Sequence, residues 1–245
     1  MSASAYLSEA IKALERVSAN QHDNIVRAAE YLVEAVVSDH CIFSFGASHS
    51  FIPTEEMVYR TGGLMLVNPI YPQGMNLFVR PMTQTSQFER VLGLGTELLN
   101  SSPAKSGDVL LITSTSGRNA VVIDMAIAAR EKGITVIGIT SLNYSQGVSS
   151  RHPSGKKLSD LCDLVIDNES PYGDAAVAIP DFPQKVGPLS SLTGIAIVNA
   201  MVAEVVASLV KRGEPPPVFL SANLDGGDAY NTRVLAENKH RIFYM

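Results

Sequence analysis

The sequence predicts an α/β fold, a three-layer sandwich with a five-stranded parallel sheet between helices and further helices at both ends. Three observations carry that reading. Short apolar runs alternate with helical periodicity along most of the chain, which demands parallel pairing and right-handed crossovers. Two of those runs end in polar glycine turns that open helices. The composition, 46% hydrophobic against 18% charged, is that of a folded chain and argues against extensive disorder.

Leu7, Ala10, Ile11 and Leu14 recur at helical spacing, and Ile25, Ala28, Ala29, Leu32, Val33 and Val36 do so again after Asn20. Two N-terminal helices are expected within 3–37. Cys41–Phe45 reads as the first strand, running into Gly46-Ala-Ser-His-Ser50 and a helix through about Arg60 that stops at Gly62-Gly63. Leu64–Val67 is the next expected strand. Asn68–Gln87 follows with three prolines and little periodicity, a long irregular stretch of the kind that covers a site.

A helix over Phe88–Leu99 leads to the strand Val109–Ile112, the hydroxyl-rich turn Thr113–Asn119 and an alanine-rich helix. Further strands are expected at Ile134–Thr140 and Leu164–Asp167, with a short helix Lys157–Cys162 between them. A second long loop, Asn168–Leu189, precedes an apolar helix over Leu192–Val210 that Pro215-Pro216-Pro217 prevents from continuing. A tail over 213–245 ends in a last helix. One domain spanning 1–245 is expected, with its core over about 38–210.

A net charge of −5 without a basic run gives no electrostatic footprint for nucleic acid. Cys41 and Cys162 both lie beside apolar runs, as free buried thiols of a reducing, cytoplasmic compartment would. The N-terminus lacks the continuous apolar core of a signal peptide. Leu192–Val210 is long and apolar, but Asn199 and Glu204 lie inside it and no second span accompanies it. A helix at the core or at a subunit interface is expected there, not a membrane segment.

Ligands of open parallel sheets bind beyond the carboxyl ends of the strands, and both polar turns leave such ends. Ser48 and Ser50 in the first turn, with Ser114, Thr115, Ser116, Gly117 and Asn119 in the second, place hydroxyls and free amides at helix N-termini, where anions are stabilised. Neither the G-x-G-x-x-G of a dinucleotide site nor the G-x-x-x-x-G-K-[ST] of a nucleotide loop is present. What remains is a site for a small phosphate. The five histidines show no ligand spacing, so no metal and no cofactor are expected.

Ser114-Thr-Ser-Gly-Arg-Asn119, preceded by D-V-L-L-I-T and followed by a helix ending E-K-G-I-T-V-I-G-I-T, resembles the sugar isomerase (SIS) phosphosugar-binding domain, and Gly46–Ser50 resembles that family's first-strand turn. The likeness covers roughly Ser38 to Val210 and is greatest to uncharacterised bacterial SIS proteins labelled phosphoheptose isomerases. It implies a flavodoxin-like sheet, a phosphorylated sugar ligand and a homodimer or higher homo-oligomer. The family's phosphate-binding positions fall on Ser50, Ser114, Ser116 and Asn119, and its Ser/Thr pair before the last long helix on Ser190-Ser191. The activity it implies is aldose-ketose isomerisation of a sugar phosphate. Alternatives are an amino-sugar phosphate deaminase, an etherase-like lyase or a non-catalytic phosphosugar sensor.

Isomerisation needs a proton-transfer group. Glu55 and Glu56 lie in the region where phosphoheptose isomerases carry a glutamate, although the family's acid comes later, near Arg60. His49, inside the first turn, is a third candidate. The histidine that those isomerases carry on the C-terminal helix is absent, with Asn199 and Glu204 in that run instead.

Overall fold

The computed structural model describes residues 2–245. Its first element, α1 (Ser2–Val37), is one continuous helix of 36 residues where two were expected. Buried Ala10, Ala13, Val17, Gln21, Ile25, Ala28 and Leu32 form one stripe at three- and four-residue steps, with no glycine or proline to end it. The polar pair at the expected break faces the sheet instead. Gln21 Oε1 accepts from the Asp167 amide (3.1 Å), and Asn20 Nδ2 and Gln21 Nε2 both donate to Glu169 Oε1 (3.1 and 3.3 Å).

The chain then forms β1 (Ile42–Gly46), a 3₁₀ turn (Ser48–Phe51) and α2 (Ile52–Met57), shorter than expected. Strand β2 is Val67–Pro69, not Leu64–Val67. Leu64, Met65 and Leu66 are buried, but their backbone pairs with the C-terminal segment. Leu64 bridges Val218, and the Met65 amide donates to Pro217 O (2.8 Å). Of the expected helix Phe88–Leu99 only the second half forms, as α4 (Leu94–Asn100); α3 (Gln84–Phe88) ends where it was expected to begin, and α4 starts after Gly93 (φ 81°), whose amide donates to Asp124 Oδ2 (2.7 Å).

β3 (Val109–Thr113), α5 (Ala120–Glu131), β4 (Thr135–Thr140), α6 (Leu142–Gln146) and β5 (Leu164–Asp167) complete the central part, with a 3₁₀ turn at Leu158–Asp160 in place of the expected short helix. The loop Asn168–Leu189 holds an unexpected antiparallel hairpin, β6 (Ala175–Val177) with β7 (Val186–Pro188). Helix α7 (Ser190–Arg212) ends at Gly213 (φ 78°), and α8 (Gly227–Glu237) lies in the tail.

All five central strands are parallel, in the order β2-β1-β3-β4-β5. Alternation along β3 sorts the core onto two faces. Leu111 packs with α1 and α7 residues such as Leu32, Val198 and Met201, while Leu110 and Ile112 pack with α5 residues such as Val121 and Ile123. Three layers result. Helix α7 has a mean hydropathy of 1.9 and is long enough to cross a membrane, yet 44% of that window is buried, largely against α1.

The entries to β1 and β3 are locked together by Asp108, fully buried, whose two oxygens accept from the Cys41 and Lys105 amides (2.8 Å each). Both cysteines are free. Burial raises the pKa of the Cys41 thiol and pushes that of Cys162 up to about 12.

Candidate functional site

Strand order reverses between β1 and β3: the chain leaves β1 for β2 on one side and returns to β3 on the other. A crevice forms beyond the carboxyl ends of the strands at such a point. Gly46 pairs with Thr113 in register, so the turns after β1 and β3 start side by side.

In the first turn Ser48 adopts a left-handed conformation (φ 57°) and its amide donates to Met75 O (3.0 Å), tying the turn to the irregular stretch after β2. Gly46 is required by space. A Cβ there would lie 2.0 Å from Ser50 O, so the backbone folds back directly over it. Ser48 and Ser50 are half-buried and His49 is exposed. Their side chains bond to no other described residue.

The second turn has its carbonyls turned outward. Thr115 O accepts from the Ser141 amide (3.0 Å) and Thr140 Oγ1 (3.2 Å), Gly117 O from the Leu158 amide (2.8 Å), and Arg118 O from the Arg151 amide (2.9 Å). The loop between β4 and β5 thus holds the turn from behind. With Gly117 at φ 61°, the amides of Thr115 to Asn119 are left without a backbone or side-chain acceptor among the described residues. Consecutive free amides around a left-handed residue form an anion-binding concavity, here continuous with the N-terminus of α5. The hydroxyls of Ser114, Thr115 and Ser116 are likewise uncommitted.

Two sequence-predicted ligands have other partners. Asn119 Nδ2 donates to Glu89 Oε2 (2.6 Å) and its Oδ1 accepts from Arg151 Nη1 (2.9 Å), which leaves one Nδ2 hydrogen and the backbone amide for an incoming anion. Ser190 Oγ donates to Asp174 Oδ2 (2.7 Å), which leaves it no proton for a phosphate oxygen. Asp174 also accepts the Ser190 amide (2.8 Å), capping α7. Glu56 Oε1 accepts from Arg60 Nε (3.1 Å) and from Asn199 Nδ2 of α7 (3.2 Å), while Glu55 is exposed. In the C-terminal tail, His240 pairs with Asp39 (2.7 Å), just before the amino end of β1 and away from the turns.

Glu89 escaped the sequence reading, because it lies 30 residues before the turn and no motif marks it. Its carbonyl accepts from the Val121 amide (3.1 Å) and its carboxylate from Asn119, so it stands over the start of α5. Burial raises its pKa above the ordinary 4.5, opposed by the Asn119 hydrogen bond and by Arg90 and Arg151. A carboxyl raised in the folded state binds its proton more tightly there than in the unfolded chain. Stability therefore falls as pH rises from the ordinary value through the raised one, and the loss persists at neutral pH. Glu89→Gln is expected to raise the melting temperature at pH 7 and to have a smaller effect at pH 4. Thermal melts at the two pH values check this, and a lowered melting temperature at pH 7 would contradict it.

A family model described as SIS domain matches residues 5–141, more than half of the sequence. The chain belongs to the SIS-domain family. The match begins inside α1, earlier than the sequence resemblance did. A UPF0309 protein of Shouchella clausii is 48% identical to this SIS chain over 238 residues, 97% of each. A phosphoheptose isomerase from Neisseria gonorrhoeae superposes with a TM-score of 0.58 over 84% of this SIS chain and 97% of its own, at 18% identity. An Escherichia coli CFT073 protein in complex with A5P gives 0.55 over 85% and 89%, at 16% identity. At these identities the superpositions establish the shared fold.

Proposed function

We propose that this SIS protein binds a phosphorylated sugar at its paired turns and interconverts its aldose and ketose forms. The observation that carries the reading is the run of uncommitted amides from Thr115 to Asn119, flanked by the hydroxyls of Ser114, Thr115 and Ser116 and set beside Ser48 and Ser50. A phosphate monoester presents three strong acceptor oxygens. Each hydrogen bond to a charged group contributes about 1.5–3 kcal/mol. The complex of the similarly folded E. coli CFT073 protein with A5P supports the ligand class.

For the reaction, Glu56 is the base. It lies on α2, which directly follows the first turn. With Oε1 held by Arg60 and Asn199, Oε2 is left to take the proton from the carbon beside the carbonyl and return it to the former carbonyl carbon. His49, exposed on the first turn, carries the accompanying proton between the two oxygens, and the exposed Glu55 is the remaining candidate for either step. The protein acts as a homodimer in the cytoplasm. A groove of about 430 Å³ between α1 and α7, lined by Leu14, Val17, Ala200 and Ala203 with His22 and Glu204, supports the pairing, and the free thiols support the compartment.

The test is a calorimetric titration with hexose, pentose, heptose and amino-sugar phosphates, each binder then followed by NMR. Binding with conversion to the aldose or ketose partner is expected. Binding without that product removes the isomerase assignment, and no binding by any member removes the phosphosugar reading itself.

A further inference from the structure

Three arginines gather at the second turn without a carboxylate to pair with. Arg118 belongs to the turn, Arg90 follows Glu89, and Arg151 comes from the loop after β4, its guanidinium on Asn119 and its amide on the Arg118 carbonyl. Arg118 Nη2 approaches only Ser149 Oγ (3.4 Å), and its Nε is buried without a partner. Among the described residues, no acid lies within 4.0 Å of any of the three guanidiniums, nor of Arg27 or Arg80, whereas Arg16, Arg60, Arg130, Arg212, Arg233 and Arg241 each form an ion pair. Glu89, the carboxylate that acts on Arg151, is engaged by Asn119. Such a concentration of positive charge is conspicuous in a chain with a net charge of −5.

We infer that Arg118 and Arg151 form a second anion subsite on the β4 side of the phosphate turn, so that the ligand is a phosphorylated sugar bearing a second acidic group, a carboxylate or another phosphate. The inference rests on the phosphosugar reading above and narrows it. Counting donors separates the two anions. The three terminal oxygens of a phosphate monoester are already served by the amides from Thr115 to Asn119 and by the hydroxyls of both turns. The guanidiniums are therefore surplus to that phosphate, and a planar fork of donors suits a carboxylate or phosphate bidentately. Position agrees. In the order β1-β3-β4, the first turn lies on one side of the phosphate turn and the arginines on the other. Burial, then Arg118 and Arg90, pull the pKa of Arg151 down, and Glu89 opposes the shift only in part, so the arginines repel one another in the absence of a further anion.

The experiment compares glucose 6-phosphate with 6-phosphogluconate and fructose 1,6-bisphosphate by calorimetry at one ionic strength, on the wild-type protein and on Arg151→Gln and Arg118→Gln. Arg151 is exposed, so its variant is expected to fold normally. At least one of the two doubly acidic probes should bind about tenfold or more tightly than glucose 6-phosphate, and the ratio should fall towards one in either variant. Which probe gains distinguishes a carboxylate from a second phosphate. Equal affinities in the wild type overturn the second subsite. So does a ratio that survives both substitutions, since the guanidiniums then serve the first phosphate or nothing. Failure of all three probes and of the pentose, heptose and amino-sugar phosphates to bind overturns the phosphosugar reading and this inference together, whereas glucose 6-phosphate binding without discrimination overturns only the inference.

Discussion

Gly46→Ala is expected to abolish sugar phosphate binding and to lower stability by about 3 kcal/mol. The added Cβ would stand 2.0 Å from Ser50 O and 2.4 Å from Ser50 C, a collision with backbone that no rotamer relieves. Strand β1 cannot yield, because it is paired to β2 on one side and β3 on the other. The first turn must move instead, taking Ser48 and Ser50 with it. Gly62→Ala is the matched control. That site is also in a turn, but nothing lies within 4 Å of its added Cβ, so only its φ of +79° is strained, at a cost of about 1 kcal/mol. Denaturant unfolding and calorimetry on both variants check the difference, and wild-type binding by Gly46→Ala would contradict the geometry of the first turn.

Asp108→Ala should destabilise the protein by a similar amount, about 3 kcal/mol, for a different reason. Its carboxylate satisfies the amides of Cys41 and Lys105 at the entries to β1 and β3. Removing it orphans a buried donor at Cys41 N, and each such loss costs about 1–3 kcal/mol. Asp108→Asn keeps one acceptor and should lose less. The order alanine, asparagine, wild type in unfolding midpoints is the expected result, and equal midpoints would mean that water replaces the carboxylate.

What the sequence disclosed follows how local the determining interactions are. β1, β3, β4 and β5 were readable because each is a short apolar run between polar or glycine residues and both faces of the sheet are covered. β2 was misplaced because Leu64–Leu66 are apolar and buried for another reason, pairing with residues about 150 positions later. α1 was read as two helices because Asn20 and Gln21 resemble a break, while their partners, Asp167 and Glu169, lie far along the chain.

The site divides in the same way. Gly46, Gly117 and the serines announce both turns locally, since a turn that must approach an anion needs glycine and small donors. That Ser190 is held by Asp174, and Asn119 by Glu89 and Arg151, was not legible, because each partner is supplied by a different segment. Glu89 and Arg151 carry no local signature. Only the packing of the β4–β5 loop and of the stretch after α3 around the start of α5 brings them to the turn.

The central claim is that the second turn holds a phosphate through its amides and hydroxyls, and the most direct measurement is calorimetric titration of the Ser114→Ala/Ser116→Ala double variant with the tightest-binding sugar phosphate. Each lost hydroxyl is expected to weaken binding about tenfold, or about 1.4 kcal/mol, giving about a hundredfold for the pair. Both hydroxyls bond to nothing else among the described residues, so the melting temperature should change little. A double variant that binds as tightly as the wild type would contradict the account.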